Sequence, residues 1–114
     1  MALSILLYSS LSRAIARHIS EAAATEKVFL IDCFAGVGGN TIAFAQSDRW
    51  KRVYAIEKDP AALACAQHNA EIYGVRDKIS WYQGDCFDII RKDLADLGEH
   101  GIIFASPPWG GKNI

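Results

Sequence analysis

Val28-Phe29-Leu30-Ile31-Asp32, running into Gly36-Val37-Gly38-Gly39 and then Asn40-Thr41-Ile42-Ala43-Phe44-Ala45-Gln46, reads as strand, glycine turn and helix. The continuous apolar run bounded by polar residues is the pattern of a strand buried on both faces of a parallel sheet. The segment after the glycines has helix-compatible composition, with Asn40 or Thr41 as a side-chain cap at its start. Further along, Val53-Tyr54-Ala55-Ile56 makes a second apolar run that stops at Glu57. Asp59 as N-cap and Pro60 at the first helical position then open an Ala-rich helix that closes at Gly74. Lys78 to Gln83 predicts a third strand turning at Gly84-Asp85, and Phe87 to Leu97 an amphipathic helix through Ile89, Ile90, Leu94 and Leu97. Ile102-Ile103-Phe104-Ala105 predicts a fourth strand that leads into Ser106-Pro107-Pro108-Trp109. Toward the N-terminus, Leu11, Ile15 and Ile19 share one face and Arg13, Arg17 and Glu21 another, so Ser12 to Ala23 is expected to be a helix lying on the domain. Alternating strands and helices place this chain in the α/β class, with right-handed crossovers and ligands beyond the carboxyl ends of the strands.

At 114 residues, 51% hydrophobic and 22% charged, the chain fills one core and no second domain. A formal net charge of −1 excludes a sequence-blind phosphate-backbone binder, so a nucleic-acid partner would have to be held in a pocket. No apolar run approaches the roughly 18 residues that span a bilayer. Cys33, Cys65 and Cys86 show neither a CxxC pair nor histidines at ligand spacing, so neither a disulfide framework nor a zinc site is expected, and a reducing intracellular compartment fits. Arg13, Arg17 and several serines without an acid resemble a transit peptide, but an ordinary amphipathic helix explains them as well, and mitochondrial targeting is not expected. His18, His68 and His100 read as surface or capping residues.

The unusual residues collect at the strand ends. Glycines after a first strand let backbone approach a ligand and free the next helix's N–H groups to donate, but Thr41 leaves the GxGxxG dinucleotide pattern incomplete and argues against a nicotinamide site. Glu57, some 20 residues on, can accept both hydroxyls of a ribose, and Asp85 the exocyclic amine of an adenine. Taken singly, Asp32, Glu57 and Asp85 read equally well as helix caps and Gly36 to Gly39 as a tight turn. Together with Ser106-Pro107-Pro108-Trp109 they read as a nucleoside site. Two prolines remove two N–H donors and hold the loop extended, so it presents acceptors to a nucleobase amine, and Trp109 can stack on the base. On a cationic 7-methylguanine the indole face would add about 1–2 kcal/mol. The bland alternative for this loop is a rigid turn plugged by a core tryptophan.

Asp32-Cys33-Phe34-Ala35-Gly36-Val37-Gly38-Gly39-Asn40-Thr41, Ala55-Ile56-Glu57-Lys58-Asp59-Pro60, Asn69-Ala70-Glu71-Ile72-Tyr73-Gly74-Val75 and Ser106-Pro107-Pro108-Trp109-Gly110-Gly111 resemble the trimethylguanosine synthase family of class I S-adenosylmethionine-dependent methyltransferases, over roughly residues 28 to 111. The resemblance implies a partial Rossmann-like fold: a single domain with a parallel sheet of about four strands flanked by helices. It divides the chain into an N-terminal helical segment (1–27) and an S-adenosylmethionine-binding core (28–114) incomplete at its C-terminus. The family's fold has seven strands, so the fourth strand here is expected to be an unpaired edge. Its helix before the first strand usually opens on a Val-Thr-Pro-Glu-like start, where this chain has Ser10-Leu11-Ser12-Arg13.

The implied reaction is methyl transfer from S-adenosylmethionine to the N2 amine of 7-methylguanosine RNA caps, without a metal or a strong general base. By resemblance, Asp32, Gly36, Gly38, Asn40 and Thr41 line the methionine part of the cofactor, Glu57 the ribose, and Asp85 with Cys86 the adenine. Ser106 and Pro107 hold the N2 amine, and Trp109, with Pro108 beside it, takes the methylated guanine. The implied partner is capped small nuclear or nucleolar RNA, and the implied location the nucleus, although no basic run serves as an import signal. The rival readings are another nucleobase-amine methyltransferase, acting on adenine N6 or ribosomal guanine N2, and a non-catalytic cofactor-binding fragment.

Overall fold

The structure, a computed structural model, describes residues 4–7 as backbone and residues 18–21 and 23–105 with their side chains. Its elements in chain order are β1 (Ser4–Leu7), β2 (Phe29–Asp32), α1 (Gly39–Gln46), β3 (Arg52–Glu57), α2 (Pro60–Ile72), β4 (Ile79–Gln83), α3 (Cys86–Asp93) and β5 (Gly101–Ala105), with 3-10 turns at Arg76–Lys78 and Ala95–His100. The four strands expected from sequence are present, and every pairing is parallel.

The sheet has five strands in the order β1-β5-β2-β3-β4. Residues 4–7, expected in a helical segment, instead form a strand that runs alongside β5 in the register Ser4↔Ile102 to Leu7↔Ala105. This corrects the expectation of an unpaired edge: β5 is interior, flanked by β1 and β2. The physical reason lies in the segment itself, where Ile-Leu-Leu is as compatible with a strand as with a helix. The rest of the expected N-terminal helix is described only at residues 18–21, which are helical, and Ser10 to Arg17 lie outside the described residues.

β2, β3, β4 and β5 send alternate residues to opposite faces. Leu30, Val53, Ala55, Ile79, Ile102 and Phe104 meet Ile42 and Phe44 of α1 and Ala70 of α2 on one side. Ile31, Ile56, Ile103 and Ala105 meet Ile90 and Leu94 on the other. The apolar runs are thus buried on both faces, as their continuity predicts. The crossovers through α1 and α2 carry the chain from β2 to β4, and α3 returns it across the opposite face to β5. The direction of winding therefore reverses between β2 and β5, where α/β sheets place their ligand crevice. Phe44 and Phe104 are fully buried with ring centroids 5.2 Å apart in an edge-to-face pair.

The helix signals hold with local corrections. Asp59 caps α2 by accepting the Ala61 N–H at 3.0 Å, with Pro60 at the first position. Gly74 ends it at φ 74°, its N–H reaching the Glu71 carbonyl while the Val75 N–H reaches Ala70, the two bonds of a Schellman motif. The helix expected over Phe87 to Leu97 stops at Asp93 and continues as 3-10 turns, in which Gly98 leaves helical geometry (φ 52°). Among the described residues no helix is long and apolar enough to cross a membrane.

Candidate active site

The loops after β2, β3 and β4 converge at the carboxyl edge of the sheet because each is stitched to its neighbour. The Cys33 N–H donates to the Phe104 carbonyl, Ala35 to Ile56 and Gly84 to Glu57, all at 2.9 to 3.0 Å. Asp32, Glu57 and Asp85 therefore lie along one edge, as their places after the strands predict.

The glycine turn has left-handed backbone at Gly36 (φ 58°) and Gly38 (φ 98°), which side chains with a Cβ rarely adopt. Gly38 is needed twice over, since a Cβ there would stand 3.0 Å from the Ala66 Cβ of α2. In front of Gly36 and Gly39 a Cβ would meet nothing within 4 Å among the described residues, so none of them fills the space before the turn. The expectation that Asn40 or Thr41 caps α1 is corrected: Gly38 is the N-cap, no side chain caps the helix, and both residues lie within its first turn. The tightness of the turn starts the helix two residues earlier than its polar residues suggest.

Thr41 has a different task. Fully buried, it donates its hydroxyl to Asp32 Oδ2 at 2.6 Å. Asp32 is itself fully buried, and among the described residues its Oδ1 has no hydrogen-bond partner. Burial drives its carboxyl up to about 6 from the ordinary 3.8, the Thr41 hydroxyl and the Phe34 backbone bond pull it back, and the charge of Glu57 adds to the rise. A buried carboxylate with one unpartnered oxygen is costly for the fold.

Glu57 is half-buried at the end of β3. Its Oε1 accepts the Gly36 N–H at 2.8 Å and its Oε2 the Asp59 N–H at 2.9 Å. The carboxylate thus clamps the glycine turn to the start of α2, and each oxygen keeps a further acceptor position. Asp85 is exposed and caps α3, with Oδ2 accepting the Asp88 N–H at 3.1 Å. Capping and ligand binding are compatible there, because the second carboxylate oxygen is not needed for the cap.

Cys86 departs from expectation. It is buried at the first position of α3 and joined to Cys33 as a disulfide, with Cα atoms 5.4 Å apart, although no disulfide is expected from the sequence. With its side chain buried in that bond, only its backbone can face an adenine. The pairing was hidden because the two cysteines are separated by 53 residues and meet only through the crossovers of α1 and α2. The clamp between Glu57 and Gly36 was also missed, since nothing local ties a strand-end acid to a turn 21 residues earlier. Ser106, Pro107, Pro108 and Trp109 lie outside the described residues; the last described one before them, Ala105, ends β5 next to β2. An apolar recess lined by Val37, Ala64, Cys65, His68 and Asn69 lies behind the glycine turn and includes none of the strand-end acids. Among the described residues no group of three or more His, Cys, Asp or Glu gathers as for a metal ion.

Comparison with known proteins bears on the same edge. The sequence pattern of one family, RNA cap guanine-N2 methyltransferase, matches residues 27–114. Trimethylguanosine synthase of Schizosaccharomyces pombe is 42% identical over 83 residues, covering 72% of this chain and 34% of that protein. The trimethylguanosine synthase of Saccharomyces cerevisiae is 35% identical over 82 residues, covering 72% of this chain and 25% of that protein. The chain therefore spans about a third or less of the length of these relatives. Among solved structures, an RNA methyltransferase from Salinibacter ruber in complex with S-adenosyl-L-homocysteine superposes with a TM-score of 0.65 at 28% identity, covering 84% of this chain and 59% of that one.

Proposed function

Because this chain belongs to the RNA cap guanine-N2 methyltransferase family, we propose that its strand-end site binds S-adenosylmethionine and directs a methyl group to the N2 amine of a 7-methylguanosine cap. The observation that carries the reading is a buried Asp32 carboxylate, one oxygen of which has no partner among the described residues, on the same sheet edge as a left-handed glycine turn and the Glu57 carboxylate that holds it. These residues fit the cofactor. Asp32 offers negative charge for the methionine ammonium, oriented by Thr41, while Gly36, Gly38 and Asn40 line the same end. Glu57 accepts the ribose hydroxyls with the acceptor positions its backbone bonds leave over, and Asp85 takes the adenine amine beside the backbone of Cys86.

When bound, the sulfonium supplies an already activated methyl group. The protein's task is then placement, and holding the amine in line with the donor can account for much of the barrier lowering, on the order of 7–11 kcal/mol. β5 carries the chain into Ser106-Pro107, to which we assign the orientation of the N2 hydrogens through oxygen acceptors. Those acceptors also stabilise the positive charge that grows on nitrogen as it is alkylated. Trp109, with Pro108 shaping the loop, stacks on the base and favours its cationic, 7-methylated form. Small nuclear and nucleolar RNAs, methylated in the nucleus, are the substrates this assignment implies.

The experiment is methyl transfer from labelled S-adenosylmethionine to a 7-methylguanosine cap dinucleotide and to the same dinucleotide without the 7-methyl group. Label at N2 of the first alone supports the proposal. Equal labelling of both, or labelling of adenine N6, would assign the site to a different nucleobase amine. Ser106→Ala and Trp109→Ala should each abolish most of the turnover.

A further inference from the structure

The Cys33–Cys86 bond joins the two walls of the candidate site. Cys33 follows the buried Asp32 and precedes the glycine turn, while Cys86 follows Asp85 at the first position of α3. They are 2% and 4% exposed, with their sulfurs packed among Ile31, Ile56, Ile90 and Ala105. As thiols the same side chains fit this apolar setting as small hydrophobes, so the fold accommodates both redox states. The Cα separation of 5.4 Å lies within the ordinary range for a disulfide. The third cysteine, Cys65, is exposed on α2 and takes no part.

We propose that Cys33 and Cys86 form a reversible redox cross-link that fixes the distance between the Asp32–glycine wall and the Asp85 wall, so that oxidation strengthens nucleoside binding and reduction weakens it. The cross-link stands on its own geometry, whereas its effect on binding rests on the cofactor reading above. In the oxidising direction one cysteine thiolate attacks a low-molecular-weight disulfide and releases one thiolate. The second cysteine thiolate then displaces the other, and the two protons given up by the cysteines go to the two released thiolates. A dithiol reductant reverses both steps. Because both sulfurs are buried, each exchange needs a transient opening of the start of α3, and a ligand held across the two walls should slow it.

The test equilibrates the chain with an excess of oxidised dithiothreitol, which leaves no mixed disulfide on a lone thiol such as Cys65, or with dithiothreitol itself, removes the reagent, and counts thiols after denaturation. One thiol per chain, that of Cys65, is expected after oxidation and three after reduction, with a mass difference of two hydrogens. Closing a loop of 53 residues should raise Tm on the order of 10 °C in the oxidised form. The affinity for S-adenosylhomocysteine should be at least about fivefold higher in that form, a coupling of the size two linked sites typically show. Cys65→Ser should keep the whole response and Cys33→Ser should lose it. Three thiols after oxidation of a chain that is folded by circular dichroism would overturn the cross-link. One thiol with equal affinity in both states would overturn the coupling. If neither state binds S-adenosylhomocysteine while the thiol count and Tm shift stand, the cofactor reading and the coupling fail together and the cross-link survives.

Discussion

The two ends of the sheet are built on opposite terms. At the amino ends of the strands, polar groups are matched. Arg49 donates to the carbonyls of Lys27, Ala23 and Ala24 while lying 4.4 Å over the Trp50 ring, and the Trp50 indole N–H donates to Ser20 at 3.0 Å. Lys27 reaches the Glu99 carbonyl, and the Val28 N–H reaches His100. At the carboxyl ends, a fully buried carboxylate keeps one oxygen without a partner among the described residues. The first end is finished as it stands. The second carries a buried acceptor that no described residue satisfies, which is how stability is given up for function.

The sharpest break of this contrast is Glu57→Ala. It removes the ribose acceptor and the clamp on Gly36, and S-adenosylhomocysteine binding should fall on the order of 1000-fold in a calorimetric titration. A loss of less than about tenfold would detach Glu57 from the ligand.

Asp32 gives the next effect, and its sign is unusual. Its carboxyl titrates near 6 in the folded chain and near 3.8 unfolded, so the folded chain binds more protons between those values. Asp32's contribution therefore favours the fold at low pH and is lost as pH rises through 6, on the order of 3 kcal/mol in all. Thermal melts of the wild type and of Asp32→Asn should diverge over that window, with the variant the more stable above it and the weaker binder of S-adenosylhomocysteine. A variant less stable than the wild type at neutral pH would mean that the bare oxygen is no burden.

At the finished end, Arg49→Ala should lower stability by about 2 kcal/mol through lost carbonyl and ring contacts. Affinity should not change at temperatures where the variant is folded. The smallest stability effect is expected for Gly36→Ala, about 1 kcal/mol from its left-handed φ, since a Cβ there meets no atom of the described residues within 4 Å. Its affinity should nonetheless drop at least about tenfold, because the methyl group enters the space the turn faces. The two alanine variants together thus separate burdens carried by the fold from burdens carried by the site.

Much of this was legible in the sequence. The runs at 28–31, 53–56 and 102–105 are apolar on both faces, a pattern that names a parallel sheet, and Asp59-Pro60 and Gly74 mark one helix at both ends through fixed backbone chemistry. The strand-end positions of Asp32, Glu57 and Asp85 follow from that topology alone. What stayed hidden depends on contacts across the fold. Residues 4–7 become a strand only because β5 offers them a partner. Thr41 looks like a helix cap until Gly38 starts the helix earlier and frees its hydroxyl for Asp32. Cys33 and Cys86 carry no local sign of each other, and the role of Glu57 as a clamp appears only when the Gly36 N–H lies 2.8 Å from it.

The measurement closest to the central claim is a calorimetric titration of this chain with S-adenosylhomocysteine. Saturable one-to-one binding that Glu57→Ala abolishes is expected if the unfinished end of the sheet is a nucleoside site. A folded chain that takes up no S-adenosylhomocysteine would contradict it, leaving the bare oxygen of Asp32 and the open glycine turn without a ligand to explain them.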